Sequence, residues 1–190
     1  MAATKTKRKN LVVRMELAYT RPPIWRRIRV PSDIKLSQLH DVIQVVMGWE
    51  NCHLHQFLFK DRYFMPPYPS GEFDDFRDVE DERKVTLGEL LSRKGAKLIY
   101  EYDFGDGWQH VLTLEGHDDA DGSKGVELLD GKLAGPPEDC GGVPGFYDLL
   151  GVLADPKHPD HADLQEWVGD YNVESFDIDA INRSLKRCCK

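Results

Sequence analysis

The amino-acid sequence predicts an α+β fold: a predominantly antiparallel sheet with helices packed on one face or end, including a C-terminal helical segment. Three observations point to it. Apolar and polar residues alternate in successive N-terminal segments, Lys97–Glu115 reads as a hairpin turning at Tyr102-Asp103-Phe104-Gly105-Asp106-Gly107-Trp108, and the spacing becomes helical after Val143.

The 190 residues are 41% hydrophobic and 31% charged, and a chain of this length buries roughly 70% of its extended surface without disulfide staples. No repeat of roughly 20–50 residues is visible, and the long loops do not divide two self-sufficient hydrophobic patterns. One domain is therefore expected over residues 11–187, between a flexible basic arm at 1–10 and a tail at 188–190. No apolar run approaches the ~20 residues of a membrane-spanning helix, and no hydrophobic segment follows the N-terminal basic residues, so the cytoplasm is the default location and no membrane partner is expected. Cys52, Cys140, Cys188 and Cys189 are too few and too irregularly spaced for a disulfide framework, so free thiols are expected. A formal charge of −8 opposes broad wrapping of nucleic acid but leaves room for a local contact through Lys5, Lys7, Arg8 and Lys9, or through Arg26, Arg27 and Arg29.

Taken in order, Leu11–Ala18 alternates as a strand with Val13, Met15 and Leu17 on one face. Pro22-Pro23 interrupts the chain before a second, partly exposed strand, Ile24–Val30, with Arg26 on the face of Ile24, Ile28 and Val30. Leu36, Leu39, Ile43 and Val46 recur at helical spacing, so Leu36–Met47 is a helix that Gly48 terminates. His53–Lys60 is apolar on both faces and reads as a central strand, and Tyr63-Phe64 as a short return. Proline and acidic residues then mark a long surface loop from Met65 to Lys84, in which Tyr68, Phe73 and Phe76 either tether the loop or line a partner groove. Thr86-Leu87-Gly88-Glu89 is spaced as a capping box for a helix through Leu91. Beyond the hairpin, Gly116–Lys124 reads as a loop and Val126–Leu129 as a short strand. Asp130–Val143 is turn-rich, and helices follow at Gly145–Leu153, His161–Val168 with Asp160 as cap, and Asp179–Arg187.

Several side chains could carry chemistry. His53-x-His55 places two imidazoles on one strand face, a compact pair of metal ligands, with His110, Asp103, Asp106, Glu138 and Asp139 able to complete the set if their loops converge. A nitrogen and oxygen set admits zinc, manganese or iron. The alternative for both histidines is hydrogen bonding to backbone or carboxylates with the rings packed beside Phe57 and Phe59. Asp103 and Asp106 could act as an acid/base pair or satisfy turn amides, and the turn role is favoured. Cys140 lies among carboxylates that disfavour a thiolate, Arg26 and Arg27 pair with carboxylates or meet a phosphate, and His40 and Gln44 hydrogen-bond at the core edge.

The chain resembles the plasmid pRiA4b ORF-3-like family. The matching segments are Pro22-Pro23-Ile24-Trp25-Arg26-Arg27, Met47-Gly48-Trp49, His53-Leu54-His55, Tyr100 to His110 and Pro136-Pro137-Glu138-Asp139-Cys140-Gly141-Gly142, in that order, across roughly residues 11–187. The resemblance implies an α+β fold and an association with plasmids and mobile elements, and it implies no reaction. Related sequences place a cysteine before the Pro-Pro-Glu-Asp-Cys-Gly-Gly segment where this chain has Gly135, which weakens a thiolate-rich metal site here.

No complete catalytic constellation is legible from sequence. The expected function is that of an accessory or protein-interaction module serving mobile-element proteins. The alternatives are a metal-assisted hydrolase or nuclease-like enzyme with a divalent ion as its cofactor, and a local nucleic-acid accessory module.

Overall fold

The computed structural model describes residues 9–67, 79–118 and 125–188. Lys5, Lys7 and Arg8 of the basic arm, the loop aromatics Tyr68, Phe73 and Phe76, and Cys189 lie outside the described residues. The elements run β1 (Asn10–Leu17), β2 (Trp25–Pro31), α1 (Leu36–Met47), β3 (His55–Phe59), β4 (Arg62–Met65), β5 (Val79–Asp81), α2 (Leu87–Leu90), β6 (Lys97–Tyr102), β7 (Trp108–Asp118), β8 (Glu127–Lys132), α3 (Gly142–Ala154), α4 (His161–Val168) and α5 (Ile178–Cys188). The strands form one mixed sheet in the order β5-β4-β3-β6-β7-β1-β2-β8, antiparallel throughout except for the β4–β5 pair. This is the expected α+β architecture, with the C-terminal helix α5 lying against β8 and α1.

Strand alternation sorts the sheet into a buried face and a half-exposed one. Cross-strand partners on the inner face are Val13 with Ile28 and Leu114, Met15 with Arg26 and Leu112, Tyr100 with Phe57 and His110, and Tyr102 with His55 and Trp108. All of them are buried. The apolar ones join Leu36, Leu39, Val42, Ile43 and Val46 of α1 in a single hydrophobic cluster. The helix presents these residues because they recur every three to four positions, and it ends at Gly48, whose φ of 82° is left-handed.

Several boundaries differ from the sequence reading, β8 running on to Lys132 and α3 starting at Gly142 among them, and three of the differences have a tertiary reason. β7 continues past Glu115 to Asp118 because β1 pairs with it from Leu17 to Asn10, skipping Glu115 in a bulge. The skipped carboxylate ion-pairs with Arg27 at 2.6 Å. Inside the expected long loop, Val79–Asp81 adds a parallel strand to β4, with the Arg62 guanidinium forked on Glu80 at 2.6 and 2.7 Å. β3 starts at His55 rather than His53, because Asp103 at φ 54° turns the facing strand away just after its N–H meets the Leu54 carbonyl at 2.9 Å. Asp160, expected to cap α4, makes no side-chain cap bond; its ψ of 3° is not the extended conformation that aims a carboxylate at the first helical amides. At α2 the capping box forms, with the Thr86 N–H donating to Glu89 at 2.7 Å.

Arg26 departs furthest from expectation. It faces neither a carboxylate nor a partner surface: it is 1% exposed beneath α1. Its Nε donates to the Val46 carbonyl at 2.7 Å and its Nη1 to the carbonyls of Trp25 at 2.9 Å and Lys132 at 3.0 Å, while the Phe176 ring lies 4.7 Å from the guanidinium carbon. Val46 is in the last helical turn, where carbonyls have no intrahelical partner. Burial lowers the Arg26 pKa to about 10. Substituting Arg26→Met keeps most of the volume and strands these acceptors, so it should lower unfolding free energy by roughly 2–4 kcal/mol in chemical denaturation. A loss below ~1 kcal/mol would contradict this account.

Candidate metal centre

Three connections leave the same end of the sheet and are pinned to one another: residues 49–54 after α1, the β6–β7 turn at 103–107, and residues 136–141 before α3. Trp49 stacks over Tyr102 with ring centroids 4.8 Å apart, and its indole N–H donates to the Pro136 carbonyl at 2.9 Å. The Gly141 N–H donates to Asp106 Oδ2 at 3.1 Å, and the turn backbone passes so close to Gly142 that a Cβ there would lie 2.4 Å from the Asp106 carbonyl oxygen. Glu138 Oε1 accepts from the Glu50 N–H and from the Tyr102 hydroxyl, each at 2.9 Å, and the same hydroxyl accepts the Cys52 N–H at 3.1 Å.

This packing gathers four ionisable side chains from the three connections. His53 Nε2 lies 3.1 Å from Asp139 Oδ1, 3.8 Å from Asp103 Oδ2 and 3.9 Å from Glu138 Oε2. His53 Nε2 and Glu138 Oε2 are buried and make no hydrogen bond to any described residue. Donors on a sphere of about 2.1 Å around an ion sit about 3.0–3.4 Å apart, so these separations need only small side-chain rotations to close on a cation. Two overlapping groups, Cys52/His53/Glu138 and His53/Asp103/Asp139, have ligand atoms within 4.8 Å of one another and could hold a divalent metal. The imidazole nitrogen and carboxylate oxygen fit such an ion, because each is a buried polar atom with no hydrogen bond among the described residues. Asn51, Asp103 and Asp139 all have left-handed φ, at 57°, 54° and 56°, conformations that cost energy in residues with a Cβ and concentrate at functional sites.

The other candidate residues are placed elsewhere. Asp103 satisfies a turn amide, its Oδ1 accepting the Gly105 N–H at 2.9 Å, and offers its second oxygen to His53, whereas Asp106 accepts the Gly141 N–H from a different connection. His55 separates from His53. It donates from Nε2 to Glu82 at 2.9 Å, both groups buried, and stacks on His40 with ring centroids 3.5 Å apart. His110 is fully buried with its ring edge-on to Trp49 at 5.3 Å, neither of its nitrogens has a hydrogen bond to a described residue, and it belongs to neither ligand group. Cys140 is half-buried and free, its thiol pushed up to about 12 by burial and then by Asp106. Tyr102, Asn51 and Cys52 are the participants that sequence reasoning missed. Tyr102 reads as one more inward aromatic of β6, and nothing local marks its hydroxyl as the partner of a glutamate 36 positions away.

Buried imidazoles make the protein sensitive to mild acid. Desolvation and then the neighbouring His55 charge lower the His40 pKa to about 4, and desolvation lowers that of His110 to about 3. Below the unfolded value of about 6.5 the unfolded chain binds protons that the folded chain refuses, so stability falls as pH drops, by up to about 1.4 kcal/mol per unit for each histidine. Unfolding free energy measured between pH 6 and 5 should therefore fall less steeply in His110→Leu than in the parent; equal slopes would show that His110 does not titrate this way.

Comparison with known proteins places the chain in a family. The chain is 39% identical over 179 residues to the uncharacterized protein y4hQ of Sinorhizobium fredii, covering 92% of this chain and 90% of that one. Its fold matches the crystal structure of MM3350, a protein of unknown function from Methanosarcina mazei Go1, with a TM-score of 0.81 and 33% identity over 92% of this chain and 98% of that one. Residues 9–183 match the family model described as plasmid pRiA4b ORF-3-like protein, and the chain belongs to that family.

Proposed function

We propose that the protein binds one divalent metal ion through His53, Asp103 and Asp139 and uses it in hydrolysis, with Glu138 as general base. The observation that carries this reading is His53 Nε2, buried without a hydrogen bond among carboxylates from two separate connections. The interaction-module reading rested on Tyr68, Phe73 and Phe76, which lie outside the described residues. The nucleic-acid reading rested in part on Arg26, which is buried, and on Arg27, which is paired with Glu115. No helix among the described residues is long and apolar enough to cross a membrane.

Each residue has a distinct task in this proposal. His53 and the two aspartates supply one nitrogen and two oxygens, a set suited to zinc, manganese or iron that leaves coordination positions open. A divalent ion there supplies Lewis acidity and lowers the pKa of water bound to it. Glu138 has one oxygen held by Tyr102 and the Glu50 amide and the other free, which aims a single basic oxygen at the cluster. Burial, then the bond to Glu138, raises the Tyr102 pKa, so the phenol stays a donor.

Protein purified without a metal-affinity tag should contain about one equivalent of divalent metal by elemental analysis, and His53→Ala should weaken affinity at least ~100-fold with an unchanged circular-dichroism spectrum. Absence of stoichiometric metal together with equal affinity in the variant would sink the proposal. Tyr102→Phe, which releases the Cys52 amide next to the ligand His53 and the Glu138 carboxylate next to the ligand Asp139, should weaken metal binding roughly 10–100-fold in a competitive chelator titration. Unaltered affinity would show that Tyr102 is merely a core aromatic.

A further inference from the structure

The chemistry around the proposed ion restricts what can approach it. Asp103, Glu138 and Asp139 face His53, Asp106 holds the neighbouring loop, and Glu50 flanks the cluster with its side chain exposed. The three connections that build the site, residues 49–54, 103–107 and 136–141, contain no lysine or arginine. One divalent ion therefore leaves these five carboxylates in excess, and the local field stays negative. A phosphodiester brings another negative charge into that field, and these three connections hold no guanidinium or ammonium to receive it. Large apolar side chains stand exposed directly beside the ligands: Leu54, next to His53, and Phe104, next to Asp103, are 40% and 41% exposed.

Resting on the metal reading above, we infer that the ligand of this site is a peptide segment carrying a lysine or arginine, not a nucleic acid. The long basic side chain matches both features at once, since its methylene stem can cover Leu54 or Phe104 while its charged head meets the surplus carboxylates. The peptide backbone then offers a neutral carbonyl to the ion. The reaction is amide hydrolysis: water adds its oxygen to the carbonyl carbon, the C–N bond breaks, and the proton taken by Glu138 passes to the departing amine. No oxidant, reductant or second substrate is required.

The test compares three probes on the metal-loaded full chain by calorimetry at low salt: an acetylated five-residue peptide amide with one central lysine, the same peptide with norleucine in its place, and an eight-nucleotide oligothymidylate. The lysine peptide should bind at least tenfold more tightly than the norleucine peptide, with a preference that shrinks as salt is raised, and the oligothymidylate should bind more weakly than either. Glu50→Gln should reduce the lysine preference about threefold while leaving the metal content unchanged. Equal binding of the two peptides, no measurable binding of the lysine peptide, or tighter binding of the oligothymidylate overturns the inference. The metal content of the same samples separates the two levels: stoichiometric metal without a lysine preference refutes the ligand class alone, whereas absence of metal refutes the site itself.

Discussion

The contact between the Arg26 guanidinium and the Val46 carbonyl governs the rest of the structure. It joins the start of β2 to the last turn of α1 inside the core, and the same guanidinium holds the Trp25 and Lys132 carbonyls at the β2–β8 edge. A buried cation is costly unless its donors are used, and here backbone carbonyls use them without burying a second charge. With the helix end fixed, residues 133–141 pass over it so closely that a Cβ on Gly135 would lie 2.2 Å from the Met47 carbonyl oxygen. Trp49 then bonds to Pro136. The connections that supply His53 and Glu138 are thus positioned from the core outward.

A second polar network carries that rigidity to the candidate metal site. Gln44 donates to the Tyr100 hydroxyl at 3.1 Å, Tyr100 donates to His40 Nδ1 at 2.8 Å, and His40 Nε2 donates to Asn51 at 2.7 Å. Gln44 also accepts the Asn51 N–H at 2.9 Å. Each of the four bonds in this ring has a matched donor and acceptor when His40 is neutral, which is the state that burial imposes. The ring clamps Asn51 in its left-handed conformation two residues before His53, so the site's imidazole hangs from a fully satisfied hydrogen-bond circuit. His55 and Glu82 continue the network beneath it through the stacked imidazoles.

The acidic cluster around His53 contrasts with this interior. The core pairs nearly every polar atom around His40, whereas the cluster leaves His53 Nε2 and Glu138 Oε2 without hydrogen bonds and brings three carboxylates together. Such an arrangement opposes stability by itself and becomes favourable once a cation is shared among the groups. Strained backbone at Asp103 and Asp139 is of the same kind, since the surrounding packing holds conformations that the isolated turns would avoid.

Much of the fold was legible in the sequence. The helix from Leu36 to Met47 with its glycine stop, the inward rows of β1, β6 and β7, the Phe104–Gly107 turn and the Thr86–Glu89 capping box all follow from periodicity and local hydrogen bonding, which act over a few residues. Glu138, Asp139, Asp103 and His53 were also legible as chemically competent side chains. Their partners were not. Periodicity placed His53 and His55 on one strand face, but the left-handed turn at Asp103 ended the strand pairing and sent the first toward the acidic loops and the second toward Glu82. Arg26 sat correctly on the inner face, yet its acceptor belongs to a helix 20 positions away. Local sequence determined which face each side chain takes; only tertiary packing decided which loop ends meet, because that depends on long-range contacts such as Arg26 to Val46 and Trp49 to Pro136, which no short-range pattern encodes.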